Sequence, residues 1–179
     1  MSTTVVIEAL DKSRHHRAAF SSGVDQVDNF LQRTASRLMD GGTIRVFVMT
    51  DPARDPSKIL GFYSLNAHSV DCSDLPKRYK RLANADGSIS ATFIGMIGVD
   101  QQFQGQGIGR RLLVDALNRA FAASLRIGTA VVLLDILDCG DSQAVERRLR
   151  LYTGFGFQSL PSNPLRMFMP MATVAKLQG

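Results

Sequence analysis

The segment that most constrains the fold is a glycine-rich turn between two predicted elements. Its residues are Gln104, Gly105, Gln106, Gly107, Ile108, Gly109 and Arg110. The apolar run at residues 89–99 predicts a buried strand, and the amphipathic segment at residues 107–125 predicts a helix. A turn of this kind leaves backbone N–H groups free at the positive end of the helix dipole. The segment therefore predicts an anion-binding site.

The glycine spacing in this turn excludes the two commonest phosphate-binding loops. A dinucleotide-binding fingerprint requires G-x-G-x-x-G, whereas the third residue after Gly107 is Arg110. A P-loop requires Gly-Lys followed by Ser or Thr, and the turn has no such sequence. The pattern that remains is Gln-x-x-Gly-x-Gly, formed by Gln104, Gly107 and Gly109.

Length and composition predict one globular domain over residues 1–179. The chain is 45% hydrophobic and 21% charged, which is enough apolar sequence for a substantial core. The net charge of +5 suits an anionic partner, either a nucleotide cofactor or a nucleic acid. Cys72 and Cys139 form no metal-binding or disulfide pattern, which fits a reducing cytosol. We see no signal peptide and no membrane span, and we expect a cytoplasmic protein.

The spacing of apolar residues predicts a mixed α/β sheet. Strands are predicted at residues 5–10, 43–50, 59–70, 89–99, 129–137 and 165–169, with helices at residues 24–39, 107–125 and 143–153. The turn at residues 51–57 contains two prolines, so the strands on either side of it are expected to form a hairpin. Residues 74–81 predict a basic turn or short helix, and a short tail is expected after the last strand.

Two motifs together resemble those of the GNAT N-acetyltransferases. The glycine turn is similar to the loop with which that family binds the diphosphate of acetyl-CoA. Residues 148–157, Arg-Leu-Arg-Leu-Tyr-Thr-Gly-Phe-Gly-Phe, resemble the family's late A-x-x-L-Y-x-x-x-G-F segment. The resemblance implies a GNAT fold, an α/β architecture with a mostly antiparallel central sheet flanked by helices, and acetyl-CoA as co-substrate without a metal. Arg148, where the family often has alanine, and the acidic residues 135–141 depart from the pattern.

The resemblance also implies how the chemistry is divided among the residues. Acetyl transfer from a thioester to an amine requires a donor for the oxyanion and a proton for the departing thiolate. The family pattern places the oxyanion donor at the backbone N–H of Val99, with Ile97 nearby, and makes Tyr152 the proton donor to the CoA sulfur. A phenol with a pKa of about 10 is protonated at neutral pH. The alternative for Tyr152 is a core tyrosine without a catalytic role.

The sequence identifies no general base. His15 and His16 lie in a basic cluster and are expected on the surface, while His68 is either structural or faces a cleft. Asp135 in its apolar strand is a candidate through a raised pKa, or else the partner of an arginine. Many enzymes of the family use water or accept an amine that is already largely neutral.

Further segments resemble a bacterial branch of the family that includes toxins of toxin–antitoxin pairs. These segments are residues 20–25, 28–31, 45–48, 61–65, 75–78 and 163–165. Enzymes of that branch acetylate the α-amine of an amino acid esterified to tRNA, and esterification lowers the pKa of this amine. The resemblance therefore implies aminoacyl-tRNA as acceptor and a small DNA-binding antitoxin as partner, and it allows a homodimer.

Two groups of basic residues are candidates for tRNA binding. One is a dense run around Tyr79, and the other is a pair one turn apart in the predicted helix 24–39. The candidate residues are Lys77, Arg78, Lys80, Arg81, Arg33 and Arg37. Contacts of this kind go to phosphates and are salt-sensitive and independent of sequence. The alternative is a solvated basic face.

Three functions remain open at this point. The first is acetyl-CoA-dependent acetylation of aminoacyl-tRNA. The second is acetylation of a small-molecule or protein amine, with the basic surface serving only the phosphates of CoA. The third is a CoA-binding module without turnover, for which the acidic segment 135–141 is the main support.

Overall fold

A computed structural model describes residues 4–179 of the chain. Residues 1–3, where the segment tested for a signal peptide begins, lie outside this description. The strands are β1 (Val6–Ala9), β2 (Arg45–Thr50), β3 (Gly61–Asp71), β4 (Ser88–Val99), β5 (Val131–Asp135), β6 (Gln158–Ser159) and β7 (Arg166–Pro170). They form one seven-stranded sheet in the order β1-β2-β3-β4-β5-β7-β6.

The sheet is mixed, with mostly antiparallel pairs, as predicted. β1 pairs antiparallel with β2, and β2 with β3 in the register Arg45↔Leu65, which confirms the predicted hairpin. β4 and β5 run parallel, with Ala91 opposite Val131, because a helix crosses over between them. β7 then pairs antiparallel with both β5 and β6.

In addition to short 3-10 helices, five α-helices and one π-helical segment accompany the strands within residues 4–179. They are α1 (Asp25–Asn29), a π-helical segment (Phe30–Thr34), α2 (Ala35–Asp40), α3 (Ile108–Ser124), α4 (Ser142–Phe155) and α5 (Met171–Lys176). The single helix predicted at residues 24–39 therefore contains a π-helical turn in its middle. The prediction of a short tail after the last strand is wrong, because the chain forms α5 there and buries Met171 and Val174.

The predicted apolar face of α3 is confirmed. Ile108, Leu112, Leu113, Ala116, Leu117 and Ala120 are buried, and Phe121 is partly buried. On the opposite face Arg110, Arg111 and Asn118 are exposed, as expected for an amphipathic helix. None of the helices formed by residues 4–179 has the length and apolar character needed to cross a membrane.

The chain divides into two compact units. The first consists of Met1–Asn66 with Gly95–Ala116, and the second of Ala67–Ile94 with Leu117–Gly179. The single domain expected over residues 1–179 stays a prediction.

Three phenylalanine rings pack together in the first unit. The Phe62 ring stacks on Phe30 with centroids 6.1 Å apart and meets the edge of Phe20 at 5.3 Å. β4 approaches this cluster at Gly98, where an added Cβ would lie 2.6 Å from Val27 and 2.8 Å from Phe62. Only glycine therefore fits at this position of the strand.

A separate apolar cluster stabilises the second unit. Its buried members are Val70, Leu75, Tyr79, Ile89, Ala91, Val131, Leu133, Leu160 and Phe168. Phe93 is partly buried and packs against this cluster. The cluster thus combines residues of β3, β4, β5 and β7 with the segment that contains Tyr79.

Candidate functional site

The glycine turn adopts the conformation that an anion-binding loop requires. After β4 the chain forms one turn of 3-10 helix, Gln101–Phe103, and α3 begins at Ile108. Gly105 and Gly107 between them have φ values of +76° and +77°. A Cβ added at either glycine would meet no atom within 4 Å, so glycine is needed there for the backbone angle rather than for space.

The start of α3 presents backbone donors next to these glycines. Arg111 N–H donates to the carbonyl oxygen of Gly107 at 3.1 Å. By helix geometry the N–H groups of Ile108 and Gly109 precede that bond and have no partner within the helix. Gly105, Gln106, Gly107 and Arg110 are exposed, so this end of the helix is open to an anion.

Gln104 holds the turn in place. Its Nε2 donates to the carbonyl oxygen of Ser22 at 2.9 Å and to that of Val99 at 3.1 Å. The buried Asp100 carboxylate accepts from Ser21 N–H at 3.2 Å and from Gln102 N–H at 3.0 Å. Gln104 is one of the residues predicted to bind the cofactor, and that role stays a prediction. In the structure its side-chain amide donates to the protein backbone.

Ile97 and Val99, the predicted oxyanion positions, lie at the end of β4. Val99 is the last residue of the strand, and both side chains are half-buried. The carbonyl of Val99 is fixed by Gln104, which orders the peptide that leads into the turn. The catalytic role of the Val99 N–H stays a prediction.

A pocket of about 310 Å³ lies beside the first turn of α3. Its lining residues are Val5, Asp51, Arg54, Asp55, Lys58, Leu60, Phe103, Gln106, Ile108 and Arg111. The Lys58 ammonium lies 5.0 Å from the centroid of the Phe103 ring and donates to Gln102 Oε1 at 2.6 Å. Gln106 and Ile108 of the predicted anion-binding turn line this pocket, whereas the wall from the loop 51–58 was not predicted from the sequence.

Tyr152 is nearly buried on α4 in the second unit. The residue is 8% exposed, and its ring meets the edge of Phe157 with centroids 6.0 Å apart. Within residues 4–179 its hydroxyl has no hydrogen-bond partner. Burial raises the pKa of the phenol, and the nearby positive charge of Arg148 opposes this as the smaller effect. The side chain is therefore a protonated phenol whose hydroxyl is available to a ligand.

The acidic segment 135–141 has structural roles that explain much of its departure from the family pattern. The Asp141 carboxylate caps α4 by accepting from the N–H groups of Gln143 and Ala144, at 3.0 and 3.1 Å. Asp138 accepts from Gly140 N–H at 2.9 Å. Arg148, the other departure, donates to the carbonyl oxygen of Leu137 at 2.8 Å and thereby fixes the segment to α4.

The expectation that His15 lies on the surface is wrong. His15 is 3% exposed, and its Nδ1 accepts a hydrogen bond from Asp11 N–H at 2.9 Å. Its Nε2 lies 3.3 Å from Glu8 Oε1. The ring is buried because it closes the loop that follows β1. His16 is exposed, as expected.

Asp135 is the partner of an arginine, which was one of the two alternatives. It forms a bidentate ion pair with Arg166, with distances of 2.7 and 2.8 Å. The two residues face each other in the β5–β7 register. The hydrogen-bonded Asp135 carboxylate raises the pKa of Arg166, so the guanidinium is charged. This pairing satisfies the carboxylate and leaves it unsuited to act as a base.

Arg166 of this ion pair also forms a stack with Phe93 and His68. The exposed His68 ring lies 5.1 Å from the Phe93 ring, and the Arg166 Cζ lies over the same ring at 5.3 Å. Sequence reasoning singled out His68 but missed Phe93 and Arg166. No local pattern predicts the group, because its members come from β3, β4 and β7.

The basic run around Tyr79 forms a 3-10 helix, Lys77–Leu82, in the second unit. Tyr79 is buried and anchors the helix, while the four cations at residues 77, 78, 80 and 81 are exposed. Among residues 4–179 none of these four cations forms an ion pair. The other predicted pair, Arg33 and Arg37, is exposed on the helix of the first unit.

The potential metal ligands of residues 4–179 are not arranged as a metal centre. Across residues 4–179 there is no group of three His, Cys, Asp or Glu side chains arranged to hold a metal ion. Cys72 and Cys139 are both free thiols.

The chain belongs to the GNAT family of acetyltransferases. Residues 43–159 match the family described as "Acetyltransferase (GNAT) domain". These residues include β2 to β5, the glycine turn, α3 and α4, and thus every element that carries the two motifs.

Two relatives are similar over nearly the whole chain. The "Probable toxin TacT" of Sinorhizobium fredii is 49% identical over 97% of this chain and 95% of its own length. The "tRNA-acetylating toxin" of Mycobacterium tuberculosis is 30% identical over 90% of this chain and 89% of its own length.

Solved structures share the fold at low sequence identity. One is AtaT complexed with acetyl-methionyl-tRNAfMet, with a TM-score of 0.83 and 22% identity over 98% of this chain and 100% of that one. Another is an AtaT mutant bound to the C-terminus of the antitoxin AtaR and acetyl-CoA. It has a TM-score of 0.78 and 22% identity over 97% of this chain and 98% of that one.

Proposed function

We propose that this protein transfers the acetyl group of acetyl-CoA to the α-amine of the amino acid on aminoacyl-tRNA, as the toxin of a toxin–antitoxin pair. The observation that carries the proposal is similarity over nearly the whole chain to two toxins, one of which is named as tRNA-acetylating. The exposed cations of the Lys77–Leu82 helix, which form no ion pair within residues 4–179, support a polyanionic acceptor.

The glycine turn binds the diphosphate of acetyl-CoA in this proposal. The open N-terminus of α3 and the positive φ angles of Gly105 and Gly107 allow backbone N–H groups to contact an anion closely. Ile108, Gly109 and Arg110 supply donors of the first helical turn. Gln104 contributes indirectly, because it fixes the turn to Val99.

The reaction then needs few side chains. The neutral α-amine attacks the thioester carbonyl, and the oxyanion that forms accepts a hydrogen bond from the Val99 N–H, close to Ile97. The C–S bond breaks as the intermediate collapses, and Tyr152 gives its proton to the departing sulfur. The products are the amide and CoA. The amine releases its proton to water, and water returns a proton to the Tyr152 phenolate. The raised pKa of Tyr152 keeps the phenol protonated for this step.

No strong base is required for this acceptor. Esterification at the carboxyl lowers the pKa of the α-amine, so much of it is neutral near pH 7. This suits a site whose acidic candidate, Asp135, is held in an ion pair with Arg166. It also suits a protein whose buried histidine, His15, is engaged with Asp11 and Glu8.

The enzyme has two macromolecular partners, the acceptor tRNA and an antitoxin. The acceptor tRNA contacts Lys77, Arg78, Lys80 and Arg81, with Arg33 and Arg37 as further phosphate contacts. A small DNA-binding antitoxin neutralises the enzyme, and the reaction takes place in the cytoplasm, where charged tRNA is used. The homodimer stays a prediction.

Transfer of labelled acetyl from acetyl-CoA to a bulk pool of charged tRNA tests the proposal. Uncharged tRNA and the Tyr152→Phe variant are the controls. We expect label on charged tRNA and none on uncharged tRNA. With Tyr152→Phe the rate of labelling should fall about a hundredfold or more, which is the usual effect of losing a general acid. Tight acetyl-CoA binding without label on charged tRNA would reject the tRNA acceptor and favour a small-molecule or protein amine.

A further inference from the structure

The stack of His68, Phe93 and Arg166 is assembled within the second unit from three different strands. The Phe93 ring is at its centre, with the His68 ring 5.1 Å away and tilted by 42°. The Arg166 guanidinium lies over the same ring, its Cζ 5.3 Å from the centroid. Two planar groups, an imidazole and a guanidinium, thus pack against one phenylalanine ring.

Asp135 fixes the orientation of the guanidinium in this stack. Its two carboxylate oxygens accept from Nε and Nη2 of Arg166, at 2.7 and 2.8 Å. A bidentate pair of this kind holds both groups in a shared plane. The plane of Arg166 is therefore set before any ligand arrives, at little further cost in side-chain entropy.

The stack differs from a core contact because it faces solvent. His68 is exposed, Phe93 is only partly buried, and the Arg166 side chain keeps 30% of its surface accessible. Aromatic rings and guanidinium planes in such positions are the groups on which proteins stack unpaired RNA bases.

The cationic Lys77–Leu82 helix and the stack are joined through one apolar cluster. Phe93 packs against the cluster that contains Tyr79, the anchor of the cationic Lys77–Leu82 helix. The loop that leads into Arg166 is also connected to this region, because Ser162 N–H donates to Asp74 Oδ1 at 3.0 Å. Stacking groups and cations for a single strand thus occur on one packed unit.

We propose that His68, Phe93 and Arg166 form a stacking platform for an unpaired nucleobase at the 3′ end of the acceptor tRNA, with Asp135 as its positioning residue. This inference rests on the proposed function. The amino acid is esterified to the single-stranded CCA end of tRNA, so the substrate carries unpaired bases next to the reacting amine. The platform contributes affinity for that end, while the phosphates are bound by the Lys77–Leu82 helix.

Kinetics with charged tRNA test the platform through His68→Ala and Arg166→Lys. Arg166→Lys keeps the charge and removes the planar group. We expect KM for charged tRNA to rise about tenfold or more in both variants, as for the loss of a stacked base, with kcat and KM for acetyl-CoA unchanged. His68→Phe keeps a ring and should restore KM. Arg126→Ala removes an exposed cation elsewhere in the unit and should leave KM unchanged.

Binding of the trinucleotide CCA, measured by competition or by fluorescence anisotropy, is the second readout. We expect weaker CCA binding in His68→Ala and Arg166→Lys, with thermal unfolding as for the wild type. Wild-type KM and CCA affinity in both variants would overturn the platform while leaving tRNA acetylation intact. A fall in kcat in His68→Phe would overturn it as well, because it would make His68 a proton-transfer group. If the wild type does not acetylate charged tRNA, the proposed function fails, and CCA binding alone still decides whether the platform exists.

Discussion

The side-chain amide of Gln104 donates a hydrogen bond to the carbonyl oxygen of Val99, 3.1 Å away. This bond joins the last residue of β4 to the glycine turn, and a second bond from the same nitrogen reaches Ser22 at 2.9 Å. The proposed oxyanion donor and the proposed diphosphate loop are therefore kept in register by one side chain. The same two bonds fix the shape of the loop, and the expected contact of Gln104 with the cofactor stays a prediction.

Replacing Gln104 with alanine should weaken acetyl-CoA binding without unfolding the protein. Two hydrogen bonds are lost, and each contributes roughly 0.5–1.5 kcal/mol, so we expect KM for acetyl-CoA to rise about tenfold. Isothermal titration with CoA and steady-state kinetics measure the effect. Gln178→Ala is the matched control, because that amide donates to Asn118 at 2.7 Å, outside the turn. Equal CoA affinity in the two variants would contradict the role given to Gln104.

Gly107→Ala should reduce both stability and acetyl-CoA affinity. The substitution forces a residue with a Cβ to adopt φ +77°, which costs about 1–2 kcal/mol. Gly42→Ala is a matched control, since Gly42 has φ +73° and equally open surroundings but lies after α2. We expect similar losses of unfolding free energy in both variants, measured in urea, and a loss of CoA affinity in Gly107→Ala alone. A loss of affinity in both would mean that general destabilisation explains the effect.

Tyr152 should make the stability of the protein depend on pH in the alkaline range. Burial raises its pKa above the ordinary value of 10.0, so above that pH the phenol ionises in the unfolded chain before it does so in the folded one. The unfolded state then binds fewer protons, and the free energy of unfolding falls as pH rises. Tyr152→Phe lacks this contribution. We expect the wild type to lose up to about 1.4 kcal/mol more per pH unit than the variant between the two pKa values.

Urea unfolding of the wild type and Tyr152→Phe, at pH values below and above 10.0, measures that difference. Below the ordinary pKa the two curves should keep a constant separation, because the phenol is neutral in both states. Parallel curves across the whole range would show that the Tyr152 phenol ionises as easily in the folded protein as in the unfolded chain.

Removing the four cations around Tyr79 should weaken tRNA binding and flatten its salt dependence. Each phosphate contact adds about 0.7–0.9 to the slope of log affinity against log salt, so replacing Lys77, Arg78, Lys80 and Arg81 with alanine should lower the slope by up to about 3. Filter binding or anisotropy at several salt concentrations measures it. Replacing Arg126 and Lys176, two exposed cations elsewhere, serves as the control. An unchanged slope in the fourfold variant would indicate a merely solvated basic face.

Local patterns were sufficient to predict the elements and the anion site. Periodic apolar residues predicted α3, and the hairpin of β2 and β3 followed from two apolar runs around a proline-containing turn. The glycines that predicted the loop have the positive φ angles that such a turn requires. These features depend on neighbouring residues, so they can be inferred from the sequence without knowing the fold.

Features that depend on distant residues could not be predicted. The stack on Phe93 combines three strands, and the pairing of Asp135 with Arg166 depends on the β5–β7 register. His15 was expected on the surface because its neighbours are basic, yet it is buried beside Glu8. The π-helical turn at Phe30–Thr34 has no periodic signal of its own, since it continues the apolar face of the helix around it.

The position of β7 has a consequence for biosynthesis. Although β7 is the last strand along the chain, it lies inside the sheet, between β5 and β6. On the ribosome, β5 and α4, with Tyr152, emerge before the strand that completes their side of the sheet. A growing chain without Arg166–Pro170 can pair β5 with β4 only, has no β7 for β6 to pair with, and lacks Arg166 as the partner of Asp135. The sheet of the second unit can therefore be completed only after residues 166–170 have left the ribosome.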